Sequence, residues 1–163
     1  ALFGGIYYWF PKATGRKMND LLGKIHFWGS FIAINVVFMP MFIQGLSGMN
    51  RRMADGGLEY SMNQDVLVWN TVISMAAWAL GLFRIPFIFN FFWSIKKGER
   101  VGNNPWKATT LEWQAPSPPP HGNFLTPPQV YRGPYEYSVP GAQTDFVMQG
   151  EAGGPNNAEP AKV

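Results

Sequence analysis

The run from Lys24 to Arg52, KIHFWGSFIAINVVFMPMFIQGLSGMNRR, leaves this chain few folds to choose from. At about 1.5 Å of rise per residue, its apolar body from Ile25 to Leu46 is long enough to cross a bilayer's hydrocarbon core, about 30 Å thick. His26, Asn35 and Gln44 interrupt a segment that is otherwise mostly Phe, Ile, Val and Met, and two arginines close it. Polar groups in such a segment are costly against lipid, so this helix is expected to face other protein or a cofactor.

The rest of the composition sharpens that reading. Of 163 residues 47% are hydrophobic, and they crowd into the first 95 positions, whereas the remainder is rich in Pro, Gly, Asn and Gln. The net charge of +3 is not gathered into Lys and Arg blocks interleaved with aromatics, which argues against nucleic acid as a partner and assigns the basic residues to membrane topology. Cysteine is absent, so disulfides and thiolate metal sites are excluded. The opening ALFGGIYYWFP has neither an initiating Met nor a charged n-region, and reads as a chain entered partway through an apolar helix.

In chain order, residues 1–11 are expected to be the end of a transmembrane helix, with Tyr7, Tyr8 and Trp9 at an interface and Pro11 where the helix stops. Residues 12–24 form a basic connection with Lys12, Arg16, Lys17 and Lys24, in which Asn19 or Asp20 suits the cap of the next helix. A transmembrane helix over 25–48 leads to a loop over 49–65, where Gly56 and Gly57 mark a turn and Asp55, Glu59 and Asp65 outnumber Arg51 and Arg52. A second full transmembrane helix follows over 66–95, ending in Lys96, Lys97 and Arg100. The Lys and Arg asymmetry places the 49–65 loop outside and the 96–163 tail inside. Frequent prolines in the tail exclude long helices and central strands. An extended strap is predicted from Gly102 to about Phe146, anchored on partner surface by Trp106, Trp113, Phe124, Tyr131, Tyr135 and Tyr137, with a mobile stretch from Gly150 to Val163. The fold class is an all-α membrane protein: two full transmembrane helices, the end of a third, and an extended irregular C-terminal tail.

Among residues able to carry chemistry, Arg51 and Arg52 stand out, because adjacent guanidiniums grip carboxylates through paired, charge-assisted hydrogen bonds. Haem propionates at the hydrocarbon boundary are one such ligand; lipid phosphate, or Asp55 and Glu59 nearby, is the plainer one. His26 has no second histidine at helical spacing and His121 lies in the strap, so no metal ligand set is predicted and His26 is assigned interfacial hydrogen bonding. Asn35 and Gln44 are expected to bond between helices. Arg84, in mid-span, needs a partner: a carbonyl freed by Pro86 or a carboxylate on another subunit. Asp20 reads as a helix cap more readily than as part of a proton relay. A phosphate-binding glycine loop, a nucleophile elbow and paired catalytic carboxylates are all missing, so no catalytic residue is assigned and the chain is not an enzyme unaided.

The segments GGIYYWFPKATGRKMNDLLGKIHFW, the Asn35 to Pro40 region, GLSGMNRR, VWNTVISM, NPWKATTLEW and SPPP occur in an order that resembles the C-terminal end of subunit I of haem-copper cytochrome c oxidases. The likeness covers Ala1 to about Phe124. It implies that the three apolar segments are the end of helix ten and helices eleven and twelve. It further implies that Arg51 and Arg52 bind the propionates of two haems on the outer side, and that Phe38 lies near the low-spin haem. Those haems would be shared with the remainder of subunit I, with copper and all metal ligands outside this chain.

The resemblance therefore implies part of the catalytic subunit of a proton-pumping terminal oxidase that passes electrons from cytochrome c to oxygen. Its partners would be the other oxidase subunits, cytochrome c and membrane lipid. The long tail resembles bacterial versions, pointing to a bacterial plasma membrane with the tail cytoplasmic rather than to a mitochondrial inner membrane. A non-catalytic hairpin that braces a respiratory complex, and the same part of a quinol oxidase, are the alternatives. Three departures stand out: Asn50 replaces a proline usual before the arginines, the 49–65 loop is longer by several residues, and Arg84 has no role in the family pattern. A split gene, proteolysis or a break in the polypeptide would each account for the start at Ala1.

Overall fold

Asn19 starts the central helix. Its Oδ1 accepts the Leu22 N–H at 3.1 Å, satisfying one of the amides that a helix start leaves open. The computed structural model describes residues 1–59, 64–133, 135–136 and 147–151, and they form two compact units, Asn19–Trp93 and Ala1–Met18 with Ser94–Val163.

In the Asn19–Trp93 unit, α2 spans Asp20–Leu46, following a first helix α1 over Leu2–Thr14 that belongs to the other unit. A short 3-10 turn at Gln64–Leu67 leads into α3, Val68–Leu82, and then α4 begins at Arg84 and ends at Lys97. Two apolar helical stretches, Asp20–Leu46 and Gln64–Lys97, are long enough to cross a bilayer. The buried residues of α2 are His26, Gly29, Ala33, Val37, Pro40 and Gln44, a single stripe at steps of three and four. The small residues on that stripe let a neighbouring helix approach closely. Gly29 is required, because a Cβ there would enter the space of the Phe83 ring. Facing outward, Phe27, Trp28, Phe31, Ile32, Met39 and Phe42 are exposed, as side chains destined for lipid or further protein must be.

The second stretch is not one helix. Pro86 has no N–H for the Leu82 carbonyl and its ring crowds that oxygen, so α3 stops at Leu82 and α4 resumes at Arg84 around Phe83. The break carries Arg84 to α2, where its Nη1 lies 3.1 Å from His26 Nε2. This corrects one expectation: Arg84 meets a histidine of its own chain, and His26, only 3% exposed, has a hydrogen-bonding partner there. A guanidinium can only donate, so the contact is a hydrogen bond when Nε2 presents its lone pair. Midway along α4, Asn90 is completely buried; its Oδ1 accepts the Asn19 N–H and its Nδ2 donates to the Asn19 carbonyl, both at 2.9 Å.

In the other unit, α1 does not stop at Pro11 but continues to Thr14, where Gly15 at φ 68 ends it and donates its N–H to the Pro11 carbonyl at 2.8 Å. The basic connection is correspondingly shorter, and part of it pairs: β1, Arg16–Lys17, is antiparallel to β2, Glu99–Arg100. The strap lies on this chain's own α1, not only on partner surface as predicted. Trp113, 1% exposed, stacks on Trp9 with centroids 5.6 Å apart and meets Tyr8 edge-on at 5.1 Å. Trp106 stacks on Tyr8 and donates Nε1–H to the Tyr8 carbonyl at 3.0 Å. Lys12 is buried with Nζ donating to the Ala115 and Asn103 carbonyls at 2.6 and 3.0 Å, over the Trp113 ring. Tyr135 is exposed and anchors nothing, and Phe124 is half-buried. The expectations for Tyr137, for the strap over 137–146 and for the terminal 152–163 fall outside the described residues.

Candidate functional site

The site lies where α2 ends. Ser47 caps the helix, Gly48 takes φ 87 and donates to the Gly45 carbonyl at 3.1 Å, and Met49 donates to the Gln44 carbonyl at 3.0 Å. This pair of bonds around a left-handed glycine is a Schellman motif, which reverses the chain and delivers Asn50, Arg51 and Arg52 back over the end of the helix. Arg52 itself adopts φ 62. A side chain in that region crowds the backbone, and such conformations persist where the surroundings enforce them.

Below the arginines opens a cleft of 610 Å³ lined by Phe38, Met41, Phe42 and Leu46 of α2 together with Met49, Arg51 and Arg52. Its size falls within the usual range for small-molecule sites, about 300–1,000 Å³. Phe38 and Phe42 are 54% and 68% exposed, so the apolar floor is open, and both guanidinium side chains are exposed at its rim. The structure thus brings Arg51, Arg52 and Phe38 to one cleft. Among the described residues neither guanidinium has a hydrogen-bond or ion-pair partner.

The nearby Asp55 is engaged with backbone amides. Asp55 accepts the Glu59 N–H at 2.5 Å and the Gly57 N–H at 2.9 Å, and these amides, Glu59 first, hold its carboxyl below the ordinary carboxylate range. Its charge is thereby engaged in shaping the turn around Gly56 and Gly57, at φ 67 and φ 96.

Gln44, 6% exposed, does bond between helices: Nε2 donates to the Val66 carbonyl at 3.2 Å and to Asn70 Oδ1 at 2.7 Å. Asn70 in turn donates Nδ2–H to the Gly56 carbonyl at 2.8 Å. Asn35 departs from expectation, donating at 2.7 Å to the Phe31 carbonyl one turn back on its own helix. Sequence reasoning missed Asn70 and Asn90; the available signal was a carboxamide near each end of an apolar span, where an unsatisfied amide would be costly. His121 is exposed in the strap and Asp20 sits in the first turn of α2, and among the described residues no three His, Cys, Asp or Glu side chains gather as a metal set.

An apolar floor with two guanidiniums above it that have no partner among the described residues suits an amphipathic anion. The family model for cytochrome c and quinol oxidase polypeptide I matches residues 1–99. The chain is 45% identical over 152 residues to an alternative cytochrome c oxidase subunit 1 of Bradyrhizobium diazoefficiens, covering 92% of this chain and 26% of that protein. It is 46% identical over 139 residues to a cytochrome c oxidase subunit 1 of Synechocystis sp., covering 85% and 24%. To a putative cytochrome c oxidase subunit 1-beta of Streptomyces coelicolor it is 39% identical over 132 residues, covering 80% and 22%. The chain spans about a quarter of the length of these relatives.

Proposed function

Because the chain belongs to the cytochrome c and quinol oxidase polypeptide I family, we propose that it is the C-terminal portion of the catalytic subunit of a proton-pumping respiratory terminal oxidase, acting between cytochrome c and oxygen. The observation that carries this reading is the cleft where Arg51 and Arg52 stand over the Phe38 floor. In the assembled subunit the two arginines would hold the propionates of two haems, with Phe38 near the low-spin haem. The haems, with copper held by residues outside this chain, supply electron transfer and oxygen reduction when bound.

What this chain's residues contribute is electrostatic. Each guanidinium donates two parallel N–H bonds to a carboxylate, keeping it ionised at the hydrocarbon boundary. The fixed positive charge also favours an added electron nearby, so removing it lowers the midpoint potential of the pigment. The helices α2 to α4 cross a bacterial plasma membrane, with the arginines outside and the strap in the cytoplasm. Arg16, Lys17, Lys24, Lys96, Lys97 and Arg100 at the inner ends support that orientation, and the bacterial relatives support the membrane. The remainder of subunit I, the other oxidase subunits and lipid cover the exposed apolar faces.

Changing Arg51 and Arg52 to Ala in the intact oxidase tests this. A loss of about 1.5–3 kcal/mol per charged hydrogen bond predicts shifted haem spectra, a lower midpoint potential and slower oxygen consumption. Poor assembly with unaltered haem spectra would instead identify the chain as a bracing hairpin. Supplying reduced cytochrome c or a quinol to the same preparation distinguishes the two donors.

A further inference from the structure

Asn70 does not line the cleft, yet its carboxamide joins the two ends of the segment that carries the arginines. At one end stands Gln44, whose carbonyl closes the Schellman turn through Met49 and whose Nε2 donates to Asn70 Oδ1 at 2.7 Å. At the other stands Gly56, whose carbonyl accepts Asn70 Nδ2–H at 2.8 Å. Arg51 and Arg52 lie between these two points in the chain.

We propose that Asn70 is the positioning residue that fixes Arg51 and Arg52 over the cleft, acting through Gln44 and Gly56; this rests on the propionate reading above. A carboxamide suits the position, because the side chain accepts from one amide and donates to a carbonyl through two separate atoms at the same time. An aspartate would keep the first bond and lose the second, and a leucine would lose both. The φ of 62 at Arg52 is an independent reason to look for such a tie. A non-glycine residue stays left-handed where its flanks are pinned, and Asn70 pins them from the first turns of α3.

The test uses the intact oxidase, with haem content, midpoint potential and turnover read for Asn70→Leu alone and in the Arg51→Ala, Arg52→Ala background. Haem content should hold, the potential should fall in the direction given by the arginine variants, and turnover should drop about 10-fold, as for other residues that orient a ligand's direct contacts. In the arginine-less background Asn70→Leu should shift the potential no further, which a merely structural loss would not reproduce. Should Asn70→Leu fail to assemble, Asn70→Ala removes both contacts without added bulk or charge and reads the same coupling. An unmoved potential in Asn70→Leu beside responsive arginine variants, or additive shifts, overturns this inference alone. Silent arginine variants remove the propionate reading and this one with it.

Discussion

Arg52→Gly separates the two things the residue does, holding a strained turn and presenting a charge. In the left-handed region an L-residue is disfavoured by about 1–2 kcal/mol, and glycine gives back about 0.5–1 kcal/mol of that through its larger loss of backbone freedom. The turn after α2 should therefore tighten by about 1 kcal/mol in Arg52→Gly relative to Arg52→Ala, which lacks the guanidinium equally but keeps the φ of 62. Amide hydrogen exchange over residues 48–59 of the intact complex reads this as about five-fold slower opening in the glycine variant. Both variants lose one guanidinium, so both should weaken carboxylate binding by about 1.5–3 kcal/mol, roughly 10- to 100-fold, and displace the haem midpoint potential alike. Equal exchange in the two variants would refute the claim that Arg52 is held left-handed. A glycine variant with unaltered haem properties would refute the assigned use of the charge.

Two further predictions concern the strap. Trp113→Ala removes a buried ring stacked on Trp9 and should weaken docking by about 3–5 kcal/mol, whereas Trp106→Ala, at a ring 38% exposed, loses one hydrogen bond and one stack, about 1–2 kcal/mol. Limited proteolysis across 103–125 should rank them in that order, and equal cleavage would contradict it. Burial holds the Lys12 ammonium below its usual 10.5, with Glu112 pulling the other way. With the strap undocked, Lys12 on α1 keeps its proton to higher pH than when docked, so docking strengthens as pH rises toward 10.5, and Lys12→Met should flatten the rise in protection. A fall in wild-type protection over the same range would show that the two carbonyl contacts outweigh desolvation.

The hairpin, the turn at Gly56 and Gly57 and the arginine pair were legible because each depends on neighbours in sequence: an apolar run, two glycines, two adjacent cations. What escaped depends on residues far apart in the chain. Arg84 and His26 are 58 residues apart, and nothing local in either predicts the other. Asn19 and Asn90 meet across 71 residues, and the strap finds α1 across about a hundred. The contrast between Asn35 and Gln44 is instructive, since both are amides inside the same apolar helix. Gln44 falls on the stripe of His26, Gly29, Ala33, Val37 and Pro40 and reaches the next helix, while Asn35 lies two residues from Val37, off the stripe, and turns back to its own backbone. The stripe could have been drawn from the small residues alone and would have separated them.

That stripe also explains why the arginine pair, and not another polar group, is read as the ligand site. Buried polar atoms in an apolar bundle are tolerated when they are satisfied inside it, and His26, Gln44 and Asn90 each meet a partner within the Asn19–Trp93 unit. Their chemistry is directed at holding helices and helix ends together. Arg51 and Arg52 follow the opposite pattern: two like charges side by side, one in a strained backbone, exposed above an apolar cleft while the nearby Asp55 is engaged with backbone amides. Like charges held together repel, and an arrangement that costs stability in isolation is stabilised when an acidic ligand lies between them. A lipid phosphate would also provide the negative charge, with its acyl chains against Phe38 and Phe42. The propionate reading proposed above supplies both a charge and an apolar body, so it predicts that the haem spectrum of an Arg51 or Arg52 variant changes, whereas a lipid site predicts a change in bound lipid alone.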